Sequence, residues 1–329
     1  MSVSRIHRLG LIAVLGFFLT AKPIAACTIF MGSLNGTVLF GNNEDWYPVD
    51  TYVTFAPGQG EDFGVVYCGT GTWYAEGGMN EAGLCYDAAA IPEVEMNPHS
   101  EKPNPLDWPP ILMLEECLNV SEAIALFEYY NWETTIAWQL LVADRNGDSA
   151  VFAPGADGEW NYTMRENAFQ VVTNFNLAMY PDYTGDSRYN TATSMLSTMG
   201  DNLSLEYFTE TLDAVHNPGY SGVETIYSNV YDLVNGEMYL FYLHDFSQYI
   251  RFNLTEELEQ GYHRYHIESL FDIFTTISST TTTATSATPT TSTPAITETP
   301  DFTLPLLGAA IGAGALVGIV ALTLVWRKS

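Results

Sequence analysis

The chain has 329 residues, 47% of them apolar, with 39 acidic against 11 basic side chains and a formal net charge of −28. Such a surface repels nucleic acid and anionic lipid, which excludes a nucleic-acid partner, while acidity by itself names no substrate. Setting the terminal segments aside leaves about 245 residues, enough for one large domain with a substantial core.

The first 26 residues read as a secretory signal peptide. Arg5, His7 and Arg8 form a basic start, Leu9 to Leu19 is apolar, and Ile24-Ala25-Ala26 ends in small residues, a pattern too short and wrongly flanked for a spanning helix. Cleavage there leaves Cys27 as the first residue. An N-terminal cysteine combines a thiol with a free α-amine whose unperturbed pKa is ~7.7–8.0, so the nucleophile carries its own base. Ile24-Ala25-Ala26-Cys27 also fits a bacterial lipobox, in which Cys27 would be acylated and inert.

Strand-like runs follow at Thr28–Gly32, Val38–Gly41, Gly64–Tyr67, Gly83–Ala88, Ile136–Ala143, Ala150–Ala153 and Gln170–Thr173, with a hairpin turn at Asp144-Arg145-Asn146-Gly147-Asp148. Ile111 to Tyr130 has helical spacing broken near Asn119, with Ser121 as the expected N-cap. Further helices are expected over Ser187–Met199, closed by Gly200, and over Ser204–His216. Strands return at Thr225–Leu233, Met238–Leu243 and Tyr249–Leu254, with a second hairpin turn at Asn235-Gly236. Strand meanders with segregated helix pairs define an α+β layered domain over residues 27–274. There is no βαβ alternation, phosphate loop or internal repeat.

Residues 275–303 are rich in Thr, Ser and Pro and read as an extended stalk. Residues 304–326 carry no charge and are long enough to cross a bilayer, and Arg327 and Lys328 in the tail, 327–329, place the body outside the cell. The expected location is thus the cell membrane, through a single C-terminal helix. Sequons at Asn35, Asn119, Asn161, Asn202 and Asn253 permit glycosylation. Of the four cysteines, Cys68 and Cys85 lie on what read as neighbouring strands and are the favoured disulfide pair if Cys27 is a free thiol. No metal-ligand spacing is present, and no cofactor is implied. His216 and His244 read as structural, and Trp46, Trp73, Trp108 and Trp138 as core or pocket-wall residues.

Cys27-Thr28-Ile29-Phe30 at a processed N-terminus, followed by Gly41-Asn42-Asn43-Glu44-Asp45-Trp46, resembles the linear-amide C–N hydrolases. That superfamily includes the choloylglycine hydrolases, penicillin V acylases and N-acylethanolamine amidases, all N-terminal nucleophile hydrolases. Gly78-Met79-Asn80-Glu81-Ala82-Gly83-Leu84, Val172-Thr173-Asn174, Ser187-Arg188-Tyr189 and Ser228-Asn229-Val230-Tyr231-Asp232-Leu233 extend the likeness in order to about Leu254.

The resemblance implies a four-layer α/β/β/α sandwich and hydrolysis of a linear, non-peptide N-acyl amide through a thioester acyl-enzyme. Cys27 would be the nucleophile, and Asp45 would hold its α-amine. Asn174 and the backbone N–H of Ala90 would donate to the oxyanion, and Arg188 would favour the thiolate. Asn42 stands where the family often has arginine and is a candidate substrate contact. Two other readings remain open at this point. One is an acyltransferase using the same acyl-enzyme; the other is a non-catalytic surface binding protein with a lipidated Cys27. Self-association is left open as well.

Overall fold

The computed structural model describes residues 27–71, 75–219 and 222–272. The expected signal peptide, stalk and membrane anchor, and Trp73, lie outside these residues. Among the described residues no helix is long and apolar enough to cross a membrane.

In chain order the strands and helices are β1 (Thr28–Leu34), β2 (Thr37–Trp46), β3 (Thr51–Ala56), β4 (Val65–Thr70), β5 (Gly77–Asn80), β6 (Cys85–Glu95), α1 (Pro109–Glu116) and α2 (Val120–Tyr129). There follow β7 (Thr135–Ala143), β8 (Ser149–Pro154), β9 (Trp160–Met164), β10 (Phe169–Val172), α3 (Ser187–Ser197), α4 (Leu205–Val215), β11 (Glu224–Asp232), β12 (Glu237–Tyr242), β13 (Ile250–Asn253), α5 (Leu254–Leu258) and β14 (His263–His266). They build two antiparallel sheets. Sheet 1 has the order β10-β1-β2-β11-β12-β13, and sheet 2 the order β14-β3-β4-β5-β6-β7-β8-β9.

Three apolar layers hold the sandwich together. Ile29, Met31, Val38 and Phe40 of sheet 1 meet Val53, Phe55, Val66, Met79 and Leu141 of sheet 2. Phe30, Leu39, Val230 and Phe241, on the opposite face of sheet 1, pack against Leu196, Phe208 and Leu212 of α3 and α4. Tyr86, Leu140 and Phe152 of sheet 2 pack against Met113, Leu114 and Phe127 of α1 and α2. The layers therefore run α/β/β/α, as the resemblance implied. Both faces of each sheet are covered, so β1 reads as a continuous apolar run instead of an alternation.

Three sequence expectations are corrected. The second half of the Ile111–Tyr130 run is capped by Asn119, not Ser121: the Asn119 side chain accepts from the Glu122 N–H at 3.0 Å. The strand through Val38–Gly41 continues to Trp46, carrying Asn42, Asn43, Glu44 and Asp45 into the interior. Asn and Asp are poor strand formers, and here pairing to β1 on one side and β11 on the other overrides propensity. Finally, Cys68 on β4 and Cys85 on β6 are separated by the whole of β5, and all four cysteines are free and buried. Two strand spacings of ~4.8 Å put the pair beyond disulfide reach.

Asn80 fastens the second helical layer to sheet 2. Its amide nitrogen donates to the Leu114 and Cys117 carbonyls at 2.8 and 2.9 Å, and its oxygen accepts from the Leu84 N–H at 2.9 Å. All of these groups are buried. Replacement by alanine orphans three backbone groups at ~1–3 kcal/mol each, so Asn80→Ala is expected to lower the unfolding free energy by roughly 3 kcal/mol or more. Urea denaturation followed by circular dichroism measures it, and a loss below about 1 kcal/mol would contradict this account of how α1 is held.

Candidate active site

Cys27 stands immediately before β1, 4% exposed, and its thiol donates to Glu44 Oε1 at 3.5 Å in the layer between the sheets. In the full chain its nitrogen is a peptide nitrogen; only cleavage after Ala26 would make it an amine. The alternation of side chains along a strand sends Glu44 toward sheet 2 and Asp45 toward the helices.

Asp45 is fully buried. Its Oδ1 accepts from the Thr225 hydroxyl at 2.5 Å, and its Oδ2 lies 3.4 Å from Arg188 Nη1. Arg188 sits in the first turn of α3, where the N-cap Asp186 accepts from the backbone N–H groups of Arg188 and Tyr189. Its guanidinium gathers the expected site residues into one constellation. Nη1 donates to the Cys27 carbonyl and the Thr28 hydroxyl at 3.1 Å each, and Nη2 to Asn174 Oδ1 at 2.9 Å and Asp186 Oδ2 at 3.2 Å. Asn174, in the loop after β10, donates its Nδ2 to the Ala90 carbonyl at 3.0 Å. Thus Cys27, Asp45, Asn174, Arg188 and Ala90, spread over 162 positions of sequence, come together. Arg188 meets Cys27 at its carbonyl, on the helix-facing side of β1, whereas the thiol points to the other side.

Asn42 is also buried, on the same face of β2 as Glu44, and neither its amide oxygen nor its nitrogen has a hydrogen-bond partner. The sequence reading missed four supporting residues. Gln139 of β7 donates to the carbonyls of Thr173 and Phe175 at 2.8 and 2.6 Å and accepts from the Leu177 N–H at 3.0 Å, which fixes the loop bearing Asn174. Thr225 anchors Asp45, Asp186 anchors Arg188, and Glu44 faces the thiol. Only Glu44 lay inside a recognised motif; Asp186 carries the N-cap signal of an aspartate directly before the expected helix, and Gln139 and Thr225 have no local signal. His216 and His244 stack on each other at 5.2 Å. Trp46 packs against the inter-sheet core, and Trp108, 41% exposed, meets Trp138 edge-on at 5.1 Å.

Burial dominates the electrostatics. It pushes the Cys27 thiol well above the ordinary value, reinforced by the Glu44 and Asp45 carboxylates and opposed by the Asp45 backbone N–H. Such a thiol keeps its proton until a base removes it. Burial raises Asp45 to about 7, with the Thr225 hydrogen bond and Arg188 pulling the other way. Glu44 and Asp87 are raised by burial and then by the charge of Glu76, and Glu76 itself reaches about 6.

The comparisons with known proteins divide by method. No family model matches the sequence, and no curated protein matches it. Solved structures do match. A conjugated bile acid hydrolase from Clostridium perfringens, in two mutant forms, superposes with TM-scores of 0.58 and 0.57 at 17% identity, covering 73% of this chain and 96% of that one. Penicillin V acylase from Agrobacterium tumefaciens gives 0.52 at 17% identity, covering 66% of this chain and 82% of that one. The likeness is one of fold: the α/β/β/α sandwich is shared with the bile acid hydrolase and penicillin V acylase structures.

These carboxyls fix the sign of the pH dependence of stability. Asp45 and Glu76 titrate at about 7 and about 6 in the fold, above the ~3.9 and ~4.3 of the unfolded chain. The folded state therefore binds more protons in between, and this stabilisation is complete below about pH 4 and lost as pH rises through 6 and 7. The melting temperature is expected to fall between pH 5 and pH 8, and Asp87→Asn should flatten the decline. A melting temperature that climbs over that interval in calorimetric scans would contradict the assignment.

Proposed function

We propose that the protein is an amidase that hydrolyses a linear, non-peptide N-acyl amide through Cys27. The observation that carries this reading is the Arg188 constellation, which draws Cys27, Asp45 and Asn174 to one point in the fold of the bile acid hydrolase and penicillin V acylase structures. Those two neighbours are named as a conjugated bile acid hydrolase and a penicillin V acylase, and the reading gives this chain amide cleavage.

Cleavage after Ala26 would free the α-amine of Cys27. The amine takes the thiol proton, which the buried thiol does not release unaided. Sulfur bonds to the amide carbon, and the carbonyl electron pair moves to oxygen. The proposal assigns one N–H of the Asn174 amide to that oxyanion, the other being given to the Ala90 carbonyl; the Ala90 N–H is the second donor. Donors of this kind are worth ~3–4 kcal/mol in the transition state. The C–N bond breaks as the α-ammonium protonates the leaving nitrogen. Water then attacks the thioester, releasing a carboxylic acid and restoring the thiol. Asp45, held by Thr225 and Arg188, positions the amine, and Arg188 fixes the Cys27 carbonyl and the Asn174 side chain.

We further infer that the enzyme works outside the cell, tethered by the apolar segment 304–326. Support comes from the charge-free run followed by Arg327 and Lys328, and from a catalytic reading that itself requires removal of residues 1–26.

Turnover of N-acyl amino acids and N-acyl amines, followed by detection of the released amine, tests the assignment. Cys27→Ala should fold and lose all activity. Asn174→Ala should lower kcat by ~10²–10³-fold with little change in KM, because its bond to the oxyanion strengthens only in the transition state. Unchanged turnover in Cys27→Ala would refute the nucleophile. A rise in KM with kcat intact in Asn174→Ala would move that residue from oxyanion stabilisation to ground-state binding.

A further inference from the structure

Behind the thiol lies a polar cluster that the reaction as written does not use. On the inter-sheet face of sheet 1, Glu44 is paired in register with Tyr227, and Asn42 with Asn229. Asp87 of β6, fully buried, and Glu76, just before β5, interact with this row from sheet 2, each raising the carboxyl of Glu44 and the hydroxyl of Tyr227. The buried carboxyls of Glu44 and Asp87 and the half-buried Glu76 thus act on one another electrostatically. Among the described residues no Lys, Arg or His pairs with any of them. Arg188 binds Asp45 on the opposite face of β2.

The cluster is also short of hydrogen-bond partners. Glu44 Oε2, Asp87 Oδ2, the Tyr227 hydroxyl and both amide atoms of Asn42 are buried with none. Such groups cost free energy unless a ligand, ion or water meets them. Room for the Asp87 carboxyl is built in: a Cβ on Gly77 would lie 2.1 Å from Asp87 Oδ2. Among the described residues no group of three His, Cys, Asp or Glu is placed to hold a metal ion. An organic cation, larger and directional in its N–H bonds, suits a mixed set of carboxyls, an amide and a phenol better than a metal does. Glu44 reaches to 3.5 Å from the Cys27 sulfur, so whatever occupies the cluster lies within a few bonds of the carbonyl under attack.

We propose that this inter-sheet cluster is a subsite for a positively charged group of the substrate, an ammonium or guanidinium a few bonds from the amide that Cys27 cleaves. The inference rests on the amidase reading and names the substrate class within it. A net charge of −28 would in addition draw such substrates toward the protein.

The test uses the full-length processed protein and two isosteric pairs of amides. One pair places the charge on the acyl side, the 5-aminopentanoyl and hexanoyl amides of 4-nitroaniline. The other places it on the leaving side, N-(4-aminobutyl)pentanamide and N-pentylpentanamide. In at least one pair the cationic member should have a kcat/KM higher by about 30-fold or more, the scale of a charge-assisted hydrogen bond in a buried site. Glu44→Gln and Asp87→Asn should each cut that preference to about threefold or less. Asp87→Asn is the decisive variant because it does not touch the thiol; if it does not fold, Glu44→Gln is read alone. Equal rates within both pairs, or a preference that survives both variants, would overturn the subsite.

A binding arm separates this from failure of the amidase reading. Calorimetry on Cys27→Ala with 5-aminopentanamide should show binding that hexanamide lacks and that Asp87→Asn removes, whether or not any amide is turned over. Absence of that binding would overturn the proposal. So would equal thermal stabilisation by potassium or calcium chloride, which would make the occupant an inorganic ion.

Discussion

The Arg188 guanidinium is the interaction on which the rest of the site depends. It is 20% exposed, against a carboxyl of Asp45 that is not exposed at all. An ion pair so placed must recover the desolvation of both charges, and geometry decides whether it does. Here it does so by multiplicity. Arg188 meets the Cys27 carbonyl, the Thr28 hydroxyl, Asn174 and Asp186 besides Asp45, and Asp45 has Thr225 for its other oxygen. One side chain thereby ties α3, the loop after β10, the start of β1 and the end of β2. Losing it would strand a buried carboxylate and loosen the nucleophile, the amine-holding acid and the oxyanion donor together.

The two-residue period of β2 explains why so acidic a chain can hold a cation-bearing site and an anionic one back to back. Asn43 and Asp45 face the helices, where Asn43 donates to the Leu212 carbonyl at 2.9 Å and Asp45 meets Arg188. Asn42 and Glu44 face sheet 2, where they meet a thiol and further carboxyls. A slip of one residue in the pairing with β1 and β11 would exchange the two faces. The pairs Thr28 with Asn43 and Ser228 with Asn43 hold that register, and the Ser228 hydroxyl bonded to Asn43 Oδ1 at 2.6 Å reinforces it. The chemistry of the site is thus a consequence of strand register as much as of residue identity.

Much of this was legible in the residues. Apolar runs located β1, β7, β8 and β11, and the Asp144–Asp148 turn forms as its composition demands, with Asp144 Oδ1 accepting from the Asn146 N–H at 2.9 Å. What escaped was structure that only neighbours stabilise. Gly77-Gly78-Met79-Asn80 has little strand propensity and becomes β5 because β4 and β6 flank it. The polar end of β2 is a strand for the same reason, and local rules fail where a site is built. Gln139 and Thr225 serve the constellation through contacts 34 to 180 residues distant, which nothing in their immediate sequence marks, whereas Asp186 stands directly before the expected helix, where an aspartate is a favoured cap. Cys68 and Cys85 misled for a related reason. The glycine-rich strand between them has no apolar signal of its own, so two strands that are not neighbours read as adjacent.

The central claim is that Cys27 becomes the first residue and carries the acyl group. Mass spectrometry of the full-length protein purified from membranes and acid-quenched during turnover of an N-acyl amide tests it directly. The account predicts an N-terminal peptide that begins at Cys27 and bears the substrate acyl group as a thioester released by hydroxylamine. A peptide that begins elsewhere, or a diacylglyceryl group on Cys27, would contradict it.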